Sequence, residues 1–454
     1  MLGFTIPQLI LFVFAFALYL VKPSWLILLW LISEPLLAPF IVIYSGAVDI
    51  EDQLSLVWGM WSVFNRLFIL ILLFEIIRGH KLTKSIKPIL TPVIVLCIYF
   101  VLHNLVTVFS PVAIIHNWLF VFYSILPLLV FLLNKEIWPN LKAMFWVVLI
   151  VCIIQVVFIP LNLSGVFAYS GRYVELAKET TEASLVAGTF IRSNAMADYL
   201  AVVYLFITID FFVKKNMSFL GFLIVSVIII IPLLFAGSKM PIIVTIINLI
   251  LCVLLFYQKK LVEISLMIVL SVIVIGLTVN VSIRFVGENE GLNRIVEFGN
   301  ITKTKNHKGA LDETTVGIST DLIERHFASS PIVGHGKASD NEDNAYSNSL
   351  SLDVPGLISD AALAFYLIEF GLVGLSLFLF FHYSVIKFST FPFSIRVRKK
   401  VVILIFVFFV LFAVTERGLF NRTNLIFIYA YMFGLARINE EQGIIQKQMA
   451  KTNI

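Results

Sequence analysis

Charged residues are scarce in this 454-residue chain, and cysteine is scarcer still. Only 13% of the residues are charged, against about 25% in an average soluble domain, while 60% are hydrophobic. The mean hydropathy is +0.99. This composition excludes an ordinary set of two or three soluble domains and predicts one polytopic membrane bundle.

The few cysteines exclude two further classes of protein. Cys97, Cys152 and Cys252 all lie in apolar runs, so no disulfide framework or thiolate metal site is expected. The sequence also lacks a P-loop, a GxGxxG after a strand, an HExxH and an Asp-x-Asp, and the spacing of Glu288 and Glu290 does not define a metal site by itself.

No Lys/Arg run is interleaved with aromatic residues on a soluble surface, so nucleic acid is not an expected partner.

Long apolar runs make up most of the chain. A membrane helix needs roughly 17–25 apolar residues. The candidate spans are 4–21, 25–44, 57–77, 89–109, 114–133, 143–160, 194–213, 218–236, 241–257, 261–281, 361–386, 401–415 and 423–436. They predict an all-α polytopic membrane protein with about 12–14 transmembrane helices. Residues 1–21 lack a basic n-region and a small-residue cleavage site, which predicts a retained span rather than a signal peptide.

One long polar segment interrupts these runs, from about Ser282 to Pro355. It holds seven Lys and Arg residues and eleven carboxylates, a formal charge of −4, whereas the whole chain is +5. We interpret it as a cap over the mouth of a membrane domain. The predicted organisation is transmembrane helices in 1–281 (about ten spans), a large loop outside the membrane in 282–357, C-terminal transmembrane helices in 358–436 and a tail in 437–454.

The basic residues outside this loop predict its side of the membrane. They cluster at Arg78 to Lys87, Lys214-Lys215, Lys259-Lys260 and Lys387 to Lys400. Because Lys and Arg stay in the cytoplasm, the large loop is predicted outside and the C-terminus inside. Counting spans back places the N-terminus outside.

The first candidate site runs from Gly188 to Asp198. Ser193 or Asn194 is a plausible N-cap for a helix running inward, which places Arg192 beside an outward-facing helix N-terminus. Free backbone N–H groups, the helix dipole and a guanidinium together suit a diphosphate. The alternative for Arg192 is an interfacial arginine that snorkels to water. Asp198 is either a buried counter-ion or a catalytic group.

The second candidate is the hairpin Gly237-Ser238-Lys239, which places a cation beside another outer helix N-terminus. A simple polar hairpin residue is the alternative for Lys239.

The third candidate is the loop and its exit. His335 lies between two glycines. A histidine ordinarily titrates near neutrality, so His335 is a candidate for proton transfer. The alternative is a solvated loop histidine without a role. Asp360 lies where the loop enters the next span, where it is either a helix cap or a group that reaches a substrate. Glu416 and Arg417 are expected to form a structural ion pair.

In their order along the chain, these motifs resemble those of the O-antigen polymerase and O-antigen ligase superfamily, bacterial integral-membrane glycosyltransferases of the C type. Gly188 and Asn194 resemble its Gly-x-Phe…Asn segment, and Gly237 to Lys239 its Ser-Arg-Gly hairpin. Pro331 to Gly336 resemble its Pro-x-x-Gly-x-Gly turn, and Asp360 to Gly374 its His/Asp-Asn…Gly-x-x-Gly stretch. The likeness covers about residues 184–375.

Three departures from the family pattern matter. Lys239 replaces an arginine, so bidentate contact with phosphate is lost there, and Ala361 replaces an asparagine. Asp360 stands where ligases typically have histidine, which favours a polymerase.

The resemblance implies a GT-C-like fold and a polysaccharide polymerase in the bacterial inner membrane, with its site facing the periplasm. The donor would be an oligosaccharide linked to undecaprenyl diphosphate, and neither a cofactor nor a metal is implied. Arg192, Lys239, Arg284 and Asn194 would bind the diphosphate, and Asp360 or His335 would accept a proton. Membrane lipid, a chain-length regulator and a flippase of the same pathway are the candidate partners.

Two alternatives stay open at this point. One is ligation of the finished glycan to lipid A core. The other is a flippase or other transporter of lipid-linked oligosaccharides. Transporters place charges near the bilayer midplane between repeats, whereas the charges here are predicted at the outer mouth.

Overall fold

The computed structural model describes most of the predicted membrane helices and little of the large loop. The described residues are 6–37, 50–79, 87–107, 125–163, 186–190, 193–256, 303–305, 311–313, 323, 327, 330–334, 362–389, 394–413 and 427–438. The predicted span 261–281 lies outside them, as does most of 282–357.

The described part of the chain is predominantly helical. Its first six helices are α1 (Ile6–Val21), α2 (Pro23–Ile32, extended by a π turn Ser33–Leu37), α3 (Ile50–Ile77), α4 (Lys87–Thr107), α5 (125–133) and α6 (Leu141–Leu163). The others are α7 (Ser193–Ile209, extended by a π turn Asp210–Lys214), α8 (Phe219–Phe235), α9 (Lys239–Phe256), α10 (Ala362–Ser389), α11 (Ile395–Ala413) and α12 (Phe427–Ile438).

The length and composition of these helices fit a membrane protein. Three described stretches are long and apolar enough to cross a bilayer: Leu141–Asn162, Ser193–Lys214 and Tyr366–Phe388. Shorter apolar helices accompany them, with α8 and α9 among these. A helix satisfies all its interior backbone groups within one segment, which is why an apolar sequence of this kind folds as helices.

α7 lies at the centre of the bundle. Every residue from Met196 to Ile209 is buried, and the helix packs against α8 and α9. α10 packs closely against both α4 and α11, and α1 against α2 and α3. The core is rich in aromatic rings, among them Phe206 stacked on Tyr431 at 3.9 Å between centroids.

Basic residues gather at one end of this bundle, which we call the basic end. Its contacts join helix termini that are distant in sequence. Asn134, which precedes α6, donates to Glu75 at the end of α3 at 3.2 Å, and Tyr19 near the end of α1 donates to the same carboxylate. Arg437 of α12 donates to the Trp138 carbonyl at 2.8 Å.

Two further contacts extend the basic end to the C-terminal helices. Lys400 in the first turns of α11 donates to the Leu255 carbonyl at the end of α9. Arg398 donates to the Lys387 carbonyl near the end of α10 at 3.2 Å. The basic residues at the start of α11 and at the end of α10 thus lie together. This is expected if both clusters lie on the same side of the membrane.

The observed helices differ from the sequence prediction at three places. The cluster Arg396 to Lys400, predicted as part of a hinge, lies in the first turns of α11, where long basic side chains can snorkel. α3 begins at Ile50, whereas the predicted span begins at residue 57. α10 is broken at Gly371, which the prediction missed.

A small β-hairpin lies within the predicted polar loop. Strand β1 (Lys303–Lys305) pairs antiparallel with strand β2 (Leu311–Glu313). In this register Lys303 lies opposite Glu313.

Candidate functional site

Two turns, residues 186–190 and 236–238, lie at the helix ends opposite the basic end, which we call the opposite end. A third turn, residues 330–334, is docked on α10 beside Gly371. The first turn leads directly into α7. Gly188 donates to the Asn162 side chain at 2.8 Å, and Asn162 donates back to the Gly188 carbonyl at 3.3 Å. The turn is therefore fixed to the last residues of α6.

Gln155 of α6 bonds to the next residue of the same turn, Thr189. Its side-chain oxygen accepts from the Thr189 N–H at 2.9 Å, and its amide donates to the Thr189 hydroxyl at 2.8 Å. The Gln155 amide also contacts the Val151 carbonyl at 3.2 Å. Gln155 is fully buried and Phe190 is as well, so this turn is packed and hydrogen-bonded rather than free at the surface.

The second turn lies beside the first. The Val186 N–H donates to the Phe235 carbonyl at 3.3 Å, at the end of α8. Gly237 has φ +68° and separates α8 from α9, which begins at Lys239. The N-termini of α7 and α9 therefore lie at the same end of the bundle, where the first N–H groups of a helix have no partner within the helix and its dipole is positive.

The third turn is docked on α10. The Leu372 N–H donates to the Pro331 carbonyl at 3.0 Å, and the Val373 N–H donates to the Ile332 carbonyl at 3.1 Å. These N–H groups lose their helical partners because α10 is broken at Gly371, whose φ and ψ are 65° and −170°. The loop turn thus caps the second half of a discontinuous helix.

Two side chains of α4 complete this docking. His103 Nε2 lies 2.7 Å from the Val333 carbonyl, and because a carbonyl oxygen only accepts, the histidine donates. The Tyr99 hydroxyl donates to the Phe370 carbonyl at 2.8 Å. His103 also packs on Phe370, with 5.0 Å between ring centroids.

Two carboxylates are buried beneath these turns. Asp198 in α7 and Glu369 in α10 are each 3% exposed. Buried carboxylates in a membrane helix are costly, and they mark either structural partners or functional groups. Asp198 was predicted as a buried counter-ion or a catalytic group, and its burial fits both.

Of the six residues assigned from the sequence to diphosphate binding or proton transfer, two lie within the described part of the chain. Asn194 is the second residue of α7 and is exposed. Lys239 is the first residue of α9, as expected for a cation at a helix N-terminus. The other four, Arg192, Arg284, His335 and Asp360, lie outside the described residues. Their roles remain predictions.

Four residues with tertiary contacts at these turns were not predicted from the sequence: Gln155, Asn162, Tyr99 and His103. A signal existed for three of them, because Gln155, Asn162 and His103 are polar residues within apolar runs, where each polar group needs a partner. Their partners lie between 26 and 230 residues away, so the pairing itself could not be read from spacing.

The opposite end therefore has features that suit an anion. Two parallel helix N-termini favour negative charge, and Lys239 begins one of them. The docked turn 330–334 holds part of the polar loop against the bundle.

A scan against protein-family models finds no match, and a search of curated proteins finds no related sequence.

Proposed function

We propose that this chain is a membrane glycosyltransferase that polymerises a surface polysaccharide. It would transfer a growing glycan from undecaprenyl diphosphate to a lipid-linked repeat unit at the periplasmic face. The donor class and the reaction come from the motif resemblance described above.

One observation carries most of the support. The motif segments that resemble the family lie far apart in sequence, yet two pairs of them meet in space. The turn at Gly188 contacts the end of α8 beside Gly237, and the turn ending at Gly334 contacts the break at Gly371. Each of these contacts joins two motif segments, as is expected of segments that contribute to a site.

The electrostatics of that end fit a diphosphate leaving group. Charge develops on the bridging oxygen as the glycosidic bond breaks, and fixed donors and dipoles aimed at that oxygen stabilise the transition state. The N-termini of α7 and α9 supply the dipoles, and Lys239 a cation beside one of them. Arg192, which directly precedes α7, and Arg284 are the further proposed cations.

The remaining step is removal of a proton from the acceptor hydroxyl. We assign it to Asp360, two residues before α10, with His335 as the alternative. The acceptor oxygen attacks the anomeric carbon, the bond to the diphosphate breaks, and the carboxylate takes the proton. Exclusion of water by the loop would limit hydrolysis of the donor.

Transport of the lipid-linked saccharide is less well supported. A transporter is expected to bind its substrate near the midplane at the interface of inverted repeats. The N-termini of α7 and α9 instead lie at one end of the bundle, although α10 is broken at Gly371 within the stretch Tyr366–Phe388.

A gel of surface polysaccharide from a deletion strain tests the proposal. A polymerase predicts loss of the ladder with a single repeat unit left on the core. Bare core would indicate a ligase, and an unchanged ladder would exclude both activities. Complementation with the parental gene is the control.

A further inference from the structure

His103 contacts the polar loop from a helix that no sequence motif marks as functional. It lies on α4, is 4% exposed, and donates from Nε2 to the carbonyl of Val333 at 2.7 Å. The Tyr99 hydroxyl lies 3.5 Å from the same carbonyl and donates more closely to Phe370 at 2.8 Å. One face of α4 thus binds both the loop turn and the last carbonyl before the helix break.

The turn itself is closed by short-range bonds. The Gly334 N–H donates to the Ser330 carbonyl at 3.0 Å, and the Ser330 hydroxyl donates to the Gly334 carbonyl at 2.9 Å. Its Pro331 and Ile332 carbonyls accept from the second half of α10. The turn is therefore closed by its own hydrogen bonds and is bonded on two sides, to α10 and to α4.

These bonds provide hydrogen-bond partners for the backbone groups that are freed at the break in α10. Backbone groups freed at a break inside an apolar bundle are costly unless protein groups pair with them. At Gly371 the loop provides the acceptors for two freed N–H groups, and Tyr99 provides a donor for the freed Phe370 carbonyl. His103 then fixes the loop turn that provides those acceptors.

We propose that His103 is a positioning residue for the reaction proposed above. It acts through the Val333 carbonyl, and it sets the point at which the polar loop is fixed to the membrane bundle. The inference rests on the proposed function for the reaction, but the docking contact stands on the geometry alone. Two separate measurements therefore test it.

The first measurement is amide hydrogen exchange of the purified protein in detergent. The reporters are the amides of Gly334, Leu372 and Val373, because each is bonded within the docked turn or to it. His103→Leu keeps the side-chain volume and removes the donor. We expect roughly two- to tenfold faster exchange at these amides, the range that one net hydrogen bond supplies. His103→Gln restores an N–H donor at similar reach, so its exchange should stay near that of the parent.

His382 offers a matched control. It is also 4% exposed, and it packs on aromatic rings of α10 and α11, with 4.1 Å to the Phe409 centroid. His382→Leu removes a buried histidine from the same bundle without touching the docked turn. Exchange at the three reporter amides should not change in this variant.

The second measurement is chain growth on isolated lipid-linked repeat units. We expect His103→Leu to lower kcat by roughly tenfold with KM nearly unchanged, because misplacement of a loop by about 1 Å can cost up to 10²-fold. His103→Gln should recover most of the rate. Tyr99→Phe, which keeps the ring, is the milder variant if His103→Leu does not fold, and it should raise exchange at the same amides.

The outcomes separate the two claims. Unchanged exchange in His103→Leu overturns the docking role. Faster exchange with unchanged kcat overturns the positioning role. Failure of His103→Gln to rescue overturns the assignment of the donor. If the parental protein extends no chain, the proposed function fails, while the exchange experiment still decides whether His103 fixes the turn.

Discussion

Gly334 and Gly371 lie back to back, and neither position has room for a side chain. A Cβ on Gly334 would lie 2.5 Å from the Gly371 nitrogen, and a Cβ on Gly371 would lie 2.6 Å from the Gly334 nitrogen. Both residues have positive φ, +77° and +65°. The close approach of these two backbones is what allows a loop turn to cap a broken helix.

Gly371→Ala should therefore destabilise the protein strongly. The φ and ψ of Gly371 lie in a region that is essentially restricted to glycine, where another residue costs about 1–3 kcal/mol. The collision with the Ile332 carbonyl adds to that cost. We expect a clear fall in the thermal midpoint in detergent.

Gly79→Ala is the matched control for this prediction. Gly79 has a similar φ of +75°, but a Cβ there meets nothing within 4 Å. Its substitution should cost only the backbone strain. Equal loss of stability in both variants would show that the approach of Gly334 to Gly371 contributes nothing.

Gln155→Met should loosen the turn that precedes α7. The change keeps the side-chain length but leaves the buried Thr189 N–H without its acceptor, at a cost of about 1–3 kcal/mol. Because this turn leads to Arg192, we expect polymer synthesis to fall along with stability. The measurements are the polysaccharide ladder in cells and the thermal midpoint in detergent.

Asn248→Leu provides the comparison for Gln155→Met. Asn248 is also buried, and it donates to the Thr208 hydroxyl at 3.1 Å, far along α7 from the turn. This variant should lose stability and keep the ladder. An equal loss of polymer in both variants would mean that Gln155 acts on stability alone.

The helical elements were largely predictable from the sequence. Hydropathy placed α7 within one residue of its observed start at Ser193, and Gly237 marked the end of α8. The break at Gly371 was not predictable in this way, because the stretch Tyr366–Phe388 is apolar enough on average for a continuous span despite Glu369 and two glycines. The mean hydropathy of a segment carries no information about the φ and ψ angles of one residue within it.

The candidate site was only partly predictable, for a related reason. Lys239 could be placed at a helix start from the glycine and serine before it. The bond between His103 and Val333 joins residues 230 positions apart, and nothing local to either residue indicates it. Tertiary pairing of this kind depends on how the helices pack.

Topology gives a further prediction. Ser394 is exposed and directly precedes α11 at the basic end, whereas Ser319 belongs to the predicted outer loop. With cysteine at each position, an impermeant thiol reagent should label residue 319 in outer-permeabilised cells and residue 394 only after the inner membrane is opened. The reverse pattern would place the proposed site on the cytoplasmic side.

Asp360→Asn separates a proton acceptor from a helix cap. Asparagine caps a helix about as well as aspartate, so insertion and thermal stability should change little. It cannot accept a proton, and loss of general-base assistance typically costs about 10²–10⁴-fold in rate. Chain-length distribution on isolated lipid-linked repeat units is the assay. Near-parental polymerisation would exclude Asp360 as the base and make His335 the next candidate.

Reconstitution of the purified protein with its lipid-linked repeat unit tests the central claim most directly. Proteoliposomes that contain only this chain and undecaprenyl-diphosphate-linked repeat units should yield a ladder of longer lipid-linked glycans. Undecaprenyl diphosphate should be released once for each bond formed, because it is the leaving group of every transfer. A ladder with matching release of the diphosphate is the predicted result. Intact repeat units that are neither lengthened nor released, with a correctly folded protein, would contradict the account.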